Sequence, residues 1–499
     1  MDFSGGVNVV TSPYLVSDKQ TLVADNMVLD EHGALRTRDG LAIVQALATR
    51  PIRAHAAYVP TNAATVPVAV QRGAGGTNEL IRLDTQAVVG TMTQDEPLPD
   101  LLQAANRLVV INGYETPWTW DGTTFTQLTA QAGQTVPPGA KHAAFHLGAL
   151  WLWNTAATST ALDGPSSLRS TLGTNLNDWP NANQIFVGQD DGQVGMGMTT
   201  FTIVETGISP TATLVLFKNY SAYQVIGAFG SQNFALQRIK SDMGCIAPRT
   251  IQFVSGHGAI RLTHKGFALY NGVEDRLISE EVRPAIFGGV TRKFSFTELD
   301  FDAVRTAAWA VQAQDPPLYI AVCPVMGGGQ RVFCYDLTRR AWTLLQLPAG
   351  VTVTALTLYT TPGQNPEPRI GTADGRILRW WTGVEDDYSG PVPFKILTRP
   401  YVGHSPFEPT YYRRARVLLE GRAGQSVTVR PLLDDVPESA VTETLAGLVG
   451  VREEAILDIP LHRTARHLAL EITGQGLVRL RGIEIHAAAK PLRPSPKEF

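Results

Sequence analysis

Adjacent carboxylates recur along the chain, at Asp190-Asp191, Glu280-Glu281, Asp386-Asp387, Asp434-Asp435 and Glu453-Glu454. Two acids can hydrolyse a glycosidic bond when they flank the sugar ~5 to ~9 Å apart. Acids next to each other in turns point apart and stay solvated, so these pairs are expected to be turn residues. His142 and His146 have the i, i+4 spacing that would put zinc ligands on one face of a helix. They run into Leu147-Gly148 and the burst Ala149-Leu150-Trp151-Leu152-Trp153, a strand context in which they are expected to be ordinary polar positions. Tyr411-Tyr412-Arg413-Arg414-Ala415-Arg416 is the one basic, aromatic cluster. Arg413, Arg414 and Arg416 are the candidate contacts to DNA or to another subunit, through charge and stacking. Strand alternation would put Tyr412, Arg414 and Arg416 on one face and Tyr411, Arg413 and Ala415 on the other. Trp380-Trp381 suits a sugar platform or the seam between packed sheets, and the seam is preferred.

Other chemistry is missing from the pattern. Gly73-Ala74-Gly75-Gly76 lacks the Lys-Ser/Thr that completes a phosphate-binding loop, and neither His-Glu-x-x-His nor Gly-x-Ser-x-Gly occurs. Cys245, Cys323 and Cys334 are an odd, sparse set that fits a reducing compartment better than a disulfide scaffold. Cys323 and Cys334 flank Met326-Gly327-Gly328-Gly329-Gln330 and could face each other across a hairpin, most simply as small buried hydrophobes. No catalytic, metal or cofactor residue is assigned, and the protein is expected not to be an enzyme.

The elements that hold these residues are strands. Runs such as Arg107–Ile111, Ala212–Phe217, Leu318–Val322 and Arg331–Tyr335 are rich in β-branched and aromatic residues and end at turn formers. Asn-Gly and Asp-Gly pairs recur at 112, 121, 163, 191, 271 and 374, where Asn, Asp and Gly tolerate positive φ. Helix signals are short, over 17–24, 100–105 and 279–286. Strand–turn–strand units around Trp118-Thr119-Trp120-Asp121-Gly122, 261–279, 332–345 and 369–380 each read as half of a propeller blade. The unit Val332–Leu345 resembles the kelch pattern, in which a Tyr-Asp turn precedes a Trp packed between blades. Such sheets bury their faces only by stacking radially.

The expected fold is therefore all-β: an N-terminal arm (1–45), a β-propeller of about six blades (46–390), a C-terminal β-sandwich (391–489) and an extended tail (490–499). The bulk numbers agree. The chain has 499 residues, 44% hydrophobic and 17% charged, with 46 Gly and 32 Pro, a composition for turn-linked strands with a real core. A net charge of −3 argues against wrapping nucleic acid by a basic surface, yet allows a wall that DNA slides past. Neither a leader peptide nor a long apolar stretch is evident, so a soluble protein made in a cytoplasm is expected.

Two segments carry a family resemblance. Gly5-Gly6-Val7-Asn8, Ser12-Pro13, Ala24-Asp25-Asn26, Asp30 and Gly33-Ala34-Leu35-Arg36-Thr37-Arg38-Asp39-Gly40 look like the opening of many phage virion proteins. Leu150–Trp153, Ser167–Ser170, Leu176-Asn177-Asp178-Trp179, Gly244–Pro248 and Gly266–Gly272 are similar to the propeller part of the same proteins. The family is the tail-nozzle, or packaged-DNA-stabilisation, proteins of short-tailed phages. The resemblance implies a homo-oligomeric ring, commonly a hexamer, in the virion tail below the portal and the head-to-tail adaptor. That ring, assembled in the bacterial host cytoplasm, contacts tail fibres, tailspikes or a needle, retains the packaged double-stranded DNA and gates its ejection. The alternative is a propeller that binds or depolymerises carbohydrate at the host surface, and a weaker option is a propeller scaffold unrelated to phage.

Overall fold

Turn residues at regular intervals cut the chain into short strands, and each strand pairs first with its neighbour in sequence. The computed structural model describes residues 3–61, 63–93, 99–157, 162–203, 211–232, 234–290, 295–363, 365–403, 405, 407–422, 424–445 and 452–489. Four-stranded antiparallel meanders follow one another along the chain. Blade 1 is Ile52–Tyr58, Val66–Arg72, Asn78–Arg82 and Val88–Met92. Blade 2 runs from Asp100–Ala104 to Phe125–Gln127, blade 3 from His142–His146 to Gln184–Phe186, and blade 4 from Gly195–Ile203 to Ala235–Ile239. Blade 5 runs from Gln252–Val254 to Asp275–Leu277, and blade 6 from Trp309–Ala313 to Ala341–Leu345. Blade 7 contains Val353–Tyr359, Glu367–Thr372 and Arg376–Arg379, and takes its fourth strand, Ala42–Ala46, from the N-terminal end of the chain.

The first strand of every blade meets the first strands of both neighbours, and Val353–Tyr359 of blade 7 returns to Ile52–Tyr58 of blade 1, so the ring is closed. The chain is thus an all-β propeller, with seven blades where the sequence suggested about six. The extra blade was hidden because its outermost strand lies far away in sequence. Seams between blades carry the core. Tyr58, Leu108 and Trp120 join blades 1 and 2, Trp151, Trp153 and Leu214 join blades 3 and 4, and Phe267, Phe333 and Trp342 join blades 5 and 6. Trp342 packs between blades as the kelch-like spacing predicted, and its indole N–H donates to the carbonyl of Ile278. Cys323 and Cys334 belong to opposite faces of blade 6, in different seams, so they do not face each other; both are free, as is Cys245.

The turn formers behave locally. Asp121 Oδ1 accepts the backbone N–H groups of Thr123 and Thr124 at 2.9 and 2.8 Å, which hold its carboxyl down at about 2. Asn112 and Asn271 make the same closure. Of the predicted helices, the one near 279–286 appears, as the turn Glu280–Val282 and helix Arg283–Phe287. The segments 17–24 and 100–105 are corrected to strands, Gln20–Asp25 and Asp100–Ala104. Both sit inside sheets whose hydrogen bonds outweigh local helix preference.

The N-terminal arm is no separate unit. Gln20–Asp25 lies in one sheet of the C-terminal sandwich beside Pro393–Thr398, followed by His467–Gln475 and Ser426–Leu433. Met27–Leu29 and Leu35–Thr37 enter the other sheet, with Val478–Ala489, Thr410–Arg422 and Arg452–Ala465. Phe3, Val7, Met27 and Leu35 share the sandwich core with Ile396, Val417, Leu457 and Leu470. Asp25 also bridges Leu344, so the outer strand of blade 6 and the sandwich form one continuous sheet. The expected tail, 490–499, lies outside the described residues. Among the described residues no helix is long and apolar enough to cross a membrane.

Candidate functional site

Arg413, Arg414 and Arg416 lie on Thr410–Arg422, the strand flanked by Arg452–Ala465 and Val478–Ala489. A bulge between Tyr412 and Arg414 shifts the alternation. Tyr412, Ala415, Val417 and Leu419 are buried in the sandwich, while Arg414 and Arg416 point outward and Arg413 is exposed at the bulge. The predicted pairing of Tyr412 with Arg414 and Arg416 on one face is therefore overturned by one inserted residue. Arg414 lies 3.3 Å from Asp458, and Arg416 lies 3.5 Å from Asp458 and 3.6 Å from Glu484. Asp458 and Glu484 sit directly across from Arg416 on the two neighbouring strands. The face is charge-paired, and exposed pairs of this kind contribute little stability.

Asp191, Asp387 and Glu281 are parted from their neighbouring acids as expected, but Asp387 is buried rather than solvated and Asp434-Asp435 converge on one imidazole. Asp191 takes the buried Lys218 ammonium at 2.6 Å, Asp387 takes Arg38, and Glu281 accepts from Gln20 at 2.8 Å. Asp434 and Asp435 both face His467, at 3.5 and 3.1 Å. Trp380 and Trp381 stack at 5.5 Å but are buried, with Arg38 over Trp380 and Arg36 over Trp381. They fill the junction of blade 7 with the arm and present no platform. His142 and His146 share a strand, and among the described residues no group of His, Cys, Asp or Glu could hold a metal.

The arm motif forms a joint. Asn26 holds positive φ, and its Oδ1 accepts from Arg38 Nε at 3.2 Å and from the backbone N–H of Gln346, just past the last strand of blade 6, at 2.7 Å. Arg38 is fully buried. Its remaining N–H groups go to Asp387 in two bonds of 2.9 and 2.8 Å and to the carbonyls of Asp39 and Gln346. Asp387 also accepts the N–H of Leu41, just before the closing strand. One guanidinium thus ties arm, propeller and the exit to the sandwich.

Sequence reasoning missed a cluster on the propeller axis. Lys141 precedes the first strand of blade 3, Arg249 lies in the turn Pro248–Thr250 before that of blade 5, and Arg305 lies in the helix Val304–Ala307 before that of blade 6. With Asn112, His142 and Asp100 they line a cavity of about 320 Å³. A second cavity of about 340 Å³ shares Asp100, Pro248 and Arg249 with it and is lined by inner-strand residues including His55 and Trp309. Arg249 bonds Asp100 at 2.7 Å and the Pro99 carbonyl at 2.8 Å, and lies over Trp309. A shared position at the entry to an inner strand is the one sequence signal that could have linked these cations.

No family model and no curated protein matches the chain. Solved structures similar to it include BBS1N in complex with ARL6DN, at 10% identity and TM-score 0.41, covering 70% of this chain and 97% of that one. The WD40 β-propeller domain of Doa1 is similar at 10% identity and TM-score 0.41, covering 69% and 97%. An exo-β-1,3-galactanase from Phanerochaete chrysosporium, with galactose, reaches 8% identity and TM-score 0.29, covering 78% and 96%. The fold assignment rests on the closed ring of blades described above.

Proposed function

We propose that this protein is a structural component of a phage virion, the nozzle ring of a short tail, and that it works without catalysis. The observation that carries the reading is the joint built by the arm motif. Gly6, Asn26, Asp30, Arg38 and Gly40, the residues that look like the opening of virion proteins, each do mechanical work. Gly6 has φ +67°, and an added Cβ would stand 2.6 Å from the Trp342 carbonyl of blade 6. Asp30 closes a turn onto the N–H groups of His32 and Ala34. Gly40 passes so close to the backbone of Asp386 that no side chain fits. A plug under the load of packaged DNA needs this kind of rigidity, and symmetric assembly multiplies one interface around a ring. The charge-paired arginine face and a net charge of −3 suit a wall that lets DNA pass without trapping phosphates.

In this reading the chain forms a ring, commonly of six copies, on the head-to-tail adaptor, with tail fibres, tailspikes or a needle at its side or tip. The test is mass photometry at rising concentration, of the chain alone and with the adaptor-bearing portal from the same genome. A closed ring, formed alone or on the adaptor, is the expected result. A chain that stays monomeric and ignores the adaptor refutes it.

A further inference from the structure

The cavity lined by Lys141, Arg249 and Arg305 is rich in donors. Three cations, Lys141, Arg249 and Arg305, face it with a single carboxylate, Asp100, which Arg249 already holds. Lys141 and Arg305 are exposed, and among the described residues neither forms an ion pair. The stem of Lys141 lies across the turn at Gly113, where an added Cβ would stand 3.2 Å from its Cγ. Asn112 is 5% exposed and lines the same cavity. Its Oδ1 accepts the N–H groups of Tyr114 and Glu115 at 3.1 and 2.9 Å, which fixes the other end as the amide nitrogen. That nitrogen, Nδ2, is buried and has no hydrogen-bond partner. With almost no accessible surface, that nitrogen is sealed from the cavity, so the donors offered to a ligand are those of the exposed Lys141 and Arg305.

His142 lines the same cavity. Its Nε2 lies 3.1 Å from the Gly195 carbonyl, and since a carbonyl only accepts, Nε2 carries the proton. Burial pushes the ring down to about 3, and Arg249, Arg305 and Lys141 add to the fall against the opposing Gly195 bond. The ring is neutral near pH 7, so the cavity's positive charge belongs to the lysine and arginines.

We propose that this cavity binds a small oxyanion of the phosphate or phosphate-monoester class, held by Lys141 and Arg305. A volume of about 320 Å³ suits a small molecule. Charge-assisted bonds from an ammonium and a guanidinium are the strong contacts for such a group. The proposal is independent of ring formation.

The test is isothermal titration of the full chain with inorganic phosphate against a chloride background of constant ionic strength. The wild-type chain is expected to give a saturable one-site isotherm. K141A/R305A removes two exposed side chains and is expected to weaken binding on the order of tenfold or more. R430A/R466A, which removes equal charge from the sandwich surface, is expected to bind as wild type. K141E/R305E, which reverses the charge at the same two exposed positions, is expected to abolish binding, so one cavity variant remains should the other misfold. No saturable binding by the wild-type chain, or wild-type affinity in both cavity variants, overturns the proposal. So does short duplex DNA that binds through Lys141 and Arg305 while phosphate does not.

Discussion

Asp387→Ala tests the joint at its centre. Arg38 is buried and gives Asp387 two bonds, at 2.9 and 2.8 Å, so the substitution leaves a desolvated guanidinium facing an apolar methyl group. Breaking a buried pair from one side costs roughly 3–5 kcal/mol. The N–H of Leu41 loses its acceptor too, at the entrance to the strand Ala42–Ala46 that closes blade 7. Most of the penalty falls on local opening, because the rest of the propeller keeps its seams. At about 1.4 kcal/mol per decade, 3 kcal/mol raises amide exchange in the closing strand about a hundredfold. Hydrogen–deuterium exchange of peptides covering 39–47 and 376–388 reads this directly. R38M/D387A, which buries no unpaired charge, is expected to recover much of the loss. Exchange in D387A within about threefold of wild type refutes the joint as an energetic feature. A double variant as labile as the sum of the singles refutes the electrostatic account.

Further outcomes follow from other parts of the fold. Gly6→Ala places a Cβ against the Trp342 carbonyl at positive φ and is expected to cost about 1–3 kcal/mol, read as a lower urea midpoint for the phase that exposes the sandwich. Asp25, at the seam of blade 6 and the sandwich, is raised to about 6 by burial, so its contribution is fully present below the unfolded value of 3.8 and is lost as pH rises through about 6. Asp25→Asn is therefore expected to gain in melting temperature over wild type between pH 5 and pH 8, and an unchanged difference refutes that assignment. His55 and His142 run the other way, held near 3 by burial, so their contribution is full above 6.5 and is lost as pH falls toward 3; His55→Gln is expected to flatten the acid side of the stability profile. Burial pushes the thiols of Cys245 and Cys323 up to about 12 and that of Cys334 higher still, so the folded protein is expected to leave a thiol-disulfide reagent unreacted until denaturant is added.

The elements legible in the sequence are those whose cause is local. An Asp or Asn that closes its own turn needs no partner elsewhere, so 112, 121 and 271 could be read directly. Strand runs such as Leu318–Pro324 and Ala341–Leu345 announce themselves by β-branched and aromatic residues, and Trp342 found its seam. The segment 100–105 misled because its apolar spacing fits a short helix until it is placed on the propeller axis. The arginine strand misled by one residue, because a bulge obeys the partner strand and leaves no mark in composition.

By itself the sequence determined an all-β chain of short strands, a propeller followed by a sandwich, and a polar, turn-rich arm. Only the tertiary structure decided that there are seven blades, that the arm supplies the last strand, and that Arg38 spends its donors across three parts of the chain. It alone brought Lys141, Arg249 and Arg305 to one cavity, since each stands at the entry to a different blade and is unexceptional where it stands. Closing a ring joins residues by radial position, and radial position depends on how many blades precede each one, which no local pattern encodes.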